Sequence, residues 1–315
     1  MRRLGAVLVA IFAVGVLGTP AAQATWSVAA VDEETGEVGV AVASCVGFEV
    51  SVVPVLVPGV GAAASQANIS ELSGARLVEG LEGGASASEV VEAVVAADDA
   101  PEDRQFGVVV LGGGGDGWTG ADTFDVALDR RGDSEVVSVQ GNILVSEDVV
   151  SAAIDGFESS SGELADRLVA ALVAGADEGG DSRCGAQTAT SAALIVARSG
   201  DASYAHTDAG VLGVDPVSDE VPSVYVSVLV EMGGERAPDR LAAAWAGADR
   251  SSSQVVIQQV DPGADTSAED ARQFVRVLLL IMVGLAVGAA VLVLSLIHIS
   301  EPTRPNAPSR MPSSA

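Results

Sequence analysis

The chain contains no lysine: all 16 of its basic residues are arginine, set against 43 Asp and Glu, and the formal net charge is −27. Without lysine there is neither Schiff-base chemistry nor a lysine general base, wherever the fold places its side chains. So acidic a surface repels phosphate backbones and anionic headgroups, which excludes nucleic acid as a partner. Histidine is nearly missing as well, with two in the chain. His206 is the one that counts, because His298 falls in a terminal stretch set aside below. A Ser-His-Asp triad or a multi-histidine zinc site would have to be built around it alone, and its simpler reading is a partly buried strand residue. No metal and no cofactor is expected. Cysteine is limited to Cys45 and Cys184. Outside the cytoplasm they allow one intramolecular bridge, and two buried thiols are the alternative. Abundant acid, missing lysine and a core of Ala and Val suggest a salt-adapted or high-GC source.

What is present at the start of the chain is a leader. Arg2 and Arg3, an apolar run from Leu4 to Leu17, a Gly18-Thr19-Pro20 break and Ala22-Gln23-Ala24 have the layout of a signal peptide over residues 1–24. Cutting after Ala24 makes Thr25 the first residue, carrying a hydroxyl and a free α-amine on one framework. Such an amine titrates near ~7.7 to 8.0, so much of it is a neutral base at neutral pH, able to take the hydroxyl proton directly or through one water.

The other end is apolar. Residues 261–273 form an acidic linker, and residues 274–293 are apolar apart from Arg276. At about 1.5 Å per residue that stretch reaches across a hydrocarbon core, and it shows no polar face. The expectation is a C-terminal transmembrane helix, leaving residues 25–260 extracytoplasmic and membrane-anchored after signal-peptide cleavage. Residues 294–315, opening Leu294-Ser295-Leu296-Ile297-His298, look like one reading frame of a sequencing adapter and are excluded from the biology.

Between the ends, 26–31 and 38–43 alternate around a Glu34-Thr35-Gly36 turn and predict a β-hairpin. Residues 52–57 and 60–64 continue the β signal. Residues 70–82 and 86–97 have helical spacing, the second with a Ser86/Glu89 capping box. A strand at 106–111 ends in a glycine-rich tip, Gly112 to Gly117, which lacks the Lys-Ser/Thr ending of a phosphate loop. A strand at 135–140, helices at 146–157 and 162–176, an apolar strand at 191–198 with Ser203 to His206 as a hairpin partner, a strand at 221–230 and a helix at 238–246 complete the reading. Blocks of strands alternating with helix pairs suit an α+β fold with antiparallel sheets and helices packed outside, not a doubly wound sheet.

The hairpin T-W-S-V-A-A-V-D-E-E-T-G-E-V-G-V-A-V-A-S, from Thr25 to Ser44, resembles the opening of the domain-of-unknown-function 1028 family. Four further stretches match in order: Gly59-Val60-Gly61-Ala62 with Ser65-Gln66-Ala67; Arg104 to Val109; Ser138 to Leu144; and Gly179 to Arg183 with Gln187 and Ser191 to Leu194. The resemblance covers about residues 25–245. That family is similar to the N-terminal nucleophile (Ntn) hydrolases, which implies a four-layer αββα sandwich with the nucleophile heading a core strand. Two features depart from the pattern. Many such enzymes place a lysine near the nucleophile, a role that here falls to Arg183 or Arg104 or to no group at all, and Val228 to Met232 stands where family members often carry an acidic, histidine-containing stretch.

These readings make Thr25 the candidate nucleophile and its own amine the base. Asn142, following Gln140-Gly141 at a strand end, is the candidate oxyanion donor, against the plainer reading of a turn-forming Gly-Asn. Ser44 ends the partner strand and is placed near Thr25. Asp181 and Arg183 orient the amine or bind a substrate carboxylate, or else form a salt bridge that steadies a glycine-rich loop. The expected function is an exported amidohydrolase or peptidase-like protein acting on a small amide or peptide, a homo-oligomer being compatible with it. The alternative is a non-catalytic exoplasmic binding or envelope protein with the same fold.

Overall fold

The computed structural model describes residues 25–46, 50–134, 136–207, 210–212, 224–231 and 235–260. The chain opens with β1 (Thr25–Val31) and β2 (Val38–Ser44), an antiparallel hairpin in which every residue of both strands is buried. Its turn is held by Asp32, whose carboxylate accepts the N–H groups of Glu34 and Thr35, and by Gly36 at φ 74°, a left-handed conformation open to glycine. Small and β-branched residues alternate here because both faces of the hairpin are covered.

A short 3₁₀ turn leads to β3 (Pro54–Val57) and β4 (Gly61–Ala67); α1 (Glu71–Glu82) and α2 (Ala87–Ala97) follow, then β5 (Arg104–Val110) and β6 (Gly114–Thr119). Pro54 sits in the edge strand β3, where its missing N–H costs no ladder bond. The capping box of α2 forms: Ser86 accepts from the Glu89 N–H, and the Glu89 carboxylate accepts from the Ser86 N–H at 2.9 Å. The remaining elements are β7 (Leu128–Arg131), β8 (Val137–Asn142), α3 (Asp148–Ser159), α4 (Leu164–Asp177), β9 (Ser191–Ala197), β10 (Ala205–Thr207), β11 (Gly210–Leu212), β12 (Val226–Glu231), α5 (Ala237–Ala246) and β13 (Val255–Val260).

Two sheets carry the fold. The larger has the order β13-β12-β9-β2-β1-β8-β7, antiparallel throughout except for the parallel pair β12-β13; the smaller has the order β3-β4-β5-β6. Three apolar clusters define the layering. Trp26, Val28 and Val139 meet Val149, Phe157, Leu168 and Leu172 of α3 and α4 on the outer face of the large sheet. Ala29, Val40 and Val42 meet Leu56, Ala62 and Val109 between the sheets. Val55, Ala63 and Val108 meet Leu77, Leu81, Val90 and Val94 of α1 and α2 outside the small one. Helices, sheet, sheet and helices therefore succeed one another in an α+β fold with mixed sheets, and β1 lies deep in it.

Several expectations need correction. Among the described residues no helix is long and apolar enough to cross a membrane. The longest, α4, has 14 residues, or about 21 Å at 1.5 Å each, well short of the ~30 Å of a hydrocarbon core. The predicted C-terminal transmembrane helix at 274–293 lies outside the described residues. With no spanning helix among the described residues, the transmembrane part of the expected fold and the extracytoplasmic, membrane-anchored localisation are withdrawn. The leader at 1–24, the linker at 261–273 and the stretch 294–315 also lie outside the described residues. Ser203 to His206 does not pair with β9, whose two edges are taken by β2 and β12; Tyr204 instead bridges Leu56, and β10 pairs with β11. The edge strands of the large sheet, β7 and β13, give no clear alternation and are unread in the sequence, and the predicted glycine-rich tip is shorter than expected, because β6 already begins at Gly114.

Candidate functional site

At the end of the sheets where β1 begins, the inter-sheet space turns from apolar to polar. Residues of β1 alternate faces, so Thr25 and Ser27 point the same way as Ala29 and Val31, between the sheets. Thr25 is only 3% exposed, and its Cα is paired with Ser44 of β2 on one side and Asn142 of β8 on the other. Its Oγ1 donates to Ser44 Oγ at 3.2 Å. The sequence candidates Thr25, Ser44 and Asn142 are thus brought together by strand register alone.

Beneath them lies a buried amide network that carried no assigned role in the sequence. Gln66 on β4, Gln105 on β5 and Gln140 on β8 are fully buried. Ser27 Oγ donates to Gln66 Oε1 at 2.5 Å, and Gln140 Nε2 donates to Ser27 Oγ and, at 3.2 Å, to the Ser27 carbonyl. Gln105 Oε1 accepts from Gln66 Nε2 at 2.8 Å and from Asn142 Nδ2 at 3.1 Å, while its own Nε2 donates to the Gly141 carbonyl at 2.8 Å. Room for Gln140 comes from Gly107 on the facing strand: a Cβ there would lie 1.8 Å from Gln140 Oε1. The signal was available, since a polar residue sits on the inward face of each of these apolar strands, where burial demands a partner.

Asn142 is left half-satisfied. One amide N–H is engaged by Gln105, and its carbonyl Oδ1 is buried with no hydrogen-bond partner. A buried orphan acceptor costs about 1–3 kcal/mol, so its persistence here marks a place where a donor can arrive. Ile143, directly beyond it, is held at φ 52°, a strained setting for a β-branched residue.

A collar of backbone bonds closes around the head of β1. From Asn142 the chain passes to Ile143, whose N–H donates to the Asp125 carbonyl at 3.1 Å, while the Leu144 N–H donates to the Val126 carbonyl at 3.3 Å. Leu144 bridges Asp181, and Ser182 donates to the Ile143 carbonyl from its N–H at 3.1 Å and its hydroxyl at 2.8 Å. Asp181 then reaches the other side: its carboxylate accepts the N–H of Cys45, next to Ser44, at 2.7 Å. Cys45 and Cys184 form a disulfide, so the pairing prevails over two free thiols.

Asp181 is fully buried and accepts from Arg183 three times, from its N–H at 3.0 Å, Nε at 3.1 Å and Nη2 at 2.8 Å. The pair does the structural work foreseen as the plainer alternative, and it stands one residue from Ser44. Arg104, the other candidate cation, is bound to Asp98 at 3.1 Å and to the Asn68 carbonyl. His206 lies in β10, paired with β11. Among the described residues no group of His, Cys, Asp and Glu is placed to hold a metal ion.

Residues 25–222 match a family of unknown function, DUF1028. The chain belongs to the DUF1028 family. Among solved structures the chain is similar to protein SPO2555 from Silicibacter pomeroyi, described by the same family name, with 20% identity and a TM-score of 0.56 over 74% of this chain and 99% of that one. At that identity the likeness speaks for a shared fold. No curated protein matches the chain. A kinship of DUF1028 with the N-terminal nucleophile hydrolases is not shown by these comparisons. The DUF1028 match begins at Thr25, the residue that heads β1.

Proposed function

We propose that the protein is an N-terminal nucleophile amidohydrolase, matured by removal of residues 1–24 and acting through Thr25 on an amide or peptide bond. The observation that carries this reading is the setting of Thr25: head of a buried central strand, Oγ1 3.2 Å from Ser44 Oγ, and Cα-paired with Asn142, whose buried Oδ1 lacks a donor. Processing would turn the backbone N–H of Thr25 into an amine. Asn142 Oδ1, on the neighbouring strand and the same face, is suited to accept one of its N–H groups and so to orient the lone pair.

Thr25 Oγ1 attacks the amide carbonyl carbon while its proton passes to the α-amine. The oxyanion is stabilised by the second Nδ2–H of Asn142. Collapse breaks the C–N bond, the leaving amine takes the proton from the ammonium, and an ester joins the acyl group to Thr25. Water then attacks the ester, returns a proton through the amine to Oγ1, and frees the acid. Ser44 holds the hydroxyl, and the Asp181–Arg183 pair with the disulfide fixes the strand end beside it.

The test is a mass spectrum of the mature protein before and after exposure to a β-lactone. A threonine N-terminus acylated on Thr25, with no adduct on Thr25→Ala, is the expected result. Retention of any residue ahead of position 25, or no adduct, would overturn the proposal. The 3% exposure of Thr25 favours a second reading, a non-catalytic binding protein of the same fold, in which the threonine is structural. That protein would show a processed terminus without labelling.

A further inference from the structure

Five large apolar side chains stand exposed among the described residues, and three of them gather at one side of the collar: Phe124 at 52%, Val126 at 38% and Val145 at 53%. Backbone bonds from Ile143 and Leu144 to Asp125 and Val126, and from the Val145 N–H to the Gly180 carbonyl at 3.1 Å, fix these segments just beyond Asn142. Strand pairing and one Cα–Cα step put the Asp125 backbone within about 10 Å of Thr25. Phe124 and Val126 are both held at positive φ, 79° and 49°. An aromatic and a β-branched residue in that region are disfavoured by roughly 1–3 kcal/mol each, so the loop presents apolar side chains outward at a cost.

Such a patch is unusual on a chain of net charge −27, and clustered exposed apolar groups mark binding surfaces. The occupant is set by what surrounds it. Asp125 lies between the two apolar residues, and Asp122 precedes them; both are exposed. A carboxylate-bearing substrate would meet these charges. Arg183, the cation that would offset them, has Nε and Nη2 engaged by Asp181. An uncharged apolar group buries area against Phe124 and Val126 and meets no such repulsion.

We infer that this side of the collar is the acyl subsite, selecting amides whose acyl group is apolar and uncharged; the inference rests on the proposed Thr25 chemistry. Phe124 and Val126 are its specificity-determining residues. The test compares the rates at which three β-lactones acylate Thr25 in the mature protein, read by intact mass: one unsubstituted, one with a straight alkyl tail, one with a tail of equal length ending in a carboxylate. The alkyl lactone reacts about tenfold or more faster than the carboxylate one, in line with the binding of a few buried methylenes. In Phe124→Ser/Val126→Ser that preference collapses, and a urea unfolding midpoint within error of the wild type shows that the fold is intact; Val145→Ser moves the same way by less.

Equal alkyl and carboxylate rates in the wild type would overturn the subsite and leave the Thr25 chemistry standing. No labelling by any lactone would overturn both. If the double variant keeps the preference but turns a dimer into a monomer, a second copy covers the patch and the inference fails.

Discussion

At the scale of single residues, the proposed chemistry rests on Thr25, and its neighbours fix the geometry of that side chain. Thr25→Ala is expected to abolish hydrolysis and lactone labelling, and Thr25→Ser to keep both, because serine preserves the hydroxyl and the amine. The proposed base is a neutral α-amine, whose ordinary value is near ~7.7 to 8.0, so on that proposal the labelling rate should rise as pH climbs through that range and fall below it, where the ammonium has no lone pair. A flat profile between pH 6 and 9 would speak for another base. Gly107→Ala tests the amide network: its Cβ would lie 1.8 Å from Gln140 Oε1, and displacing that side chain breaks its bonds to Ser27. A loss of about 1–3 kcal/mol, measured by urea unfolding, is expected, a large effect for one methyl group. Thr25, Ser44 and Asn142 were legible because strand register follows from a period of two. The glutamine network was not, because Gln66 and Gln105 on the small sheet reach across to Ser27, Gly141 and Asn142 on the large one.

At the scale of elements, two ties hold strands to the loops that end them. The Cys45–Cys184 bridge closes a loop of 139 residues and fastens the end of β2 to the loop before β9. Cys45→Ser/Cys184→Ser should lower stability by about 3–5 kcal/mol, seen as a lower urea midpoint, because the unfolded chain regains the freedom that the crosslink removes. The start of β5 is tied by Asp98, which accepts from the Ala100 N–H at 2.8 Å, the Ser73 hydroxyl at 2.9 Å and Arg104 Nε at 3.1 Å. Burial alone would push this carboxyl up, but those donors and the Arg104 charge together hold it below the usual aspartate value of 3.8. The sign follows: the contribution is fully present above the unfolded value and is lost as pH falls through the depressed folded one. Asp98→Asn should therefore destabilise the protein at pH 7 and flatten the acid limb of its stability curve. The capping box of α2 was readable because it is local; the pairing of Asp98 with Arg104 joins the two ends of a short 3₁₀ turn and was not.

At the scale of the whole molecule, the excess of acid is the dominant electrostatic fact. With 43 acidic residues against 16 arginines, the folded surface repels itself. Raising ionic strength from about 0.01 to 1 M cuts the screening length from roughly 30 to 3 Å, so the melting temperature should rise with salt. A fall would mean that the surface arginine pairs, such as Arg130–Glu147 at 2.7 Å, outweigh the repulsion. The layers follow from the same chain: strands buried on both faces between sheets that each carry helices on their outer side.

The sequence by itself determined the central hairpin, both α1–α2 and α3–α4 pairs, the family and the triple Thr25, Ser44 and Asn142, because periodicity, turn chemistry and register are local rules. Only the tertiary structure decided that three glutamines from different strands form one network, that Asp181 bridges to Cys45, that β10 turns away from β9, and that an apolar rim stands beside Asn142. Those are contacts between segments distant in sequence, and which partners meet is fixed by how two sheets stack, a choice that no single stretch of the chain encodes.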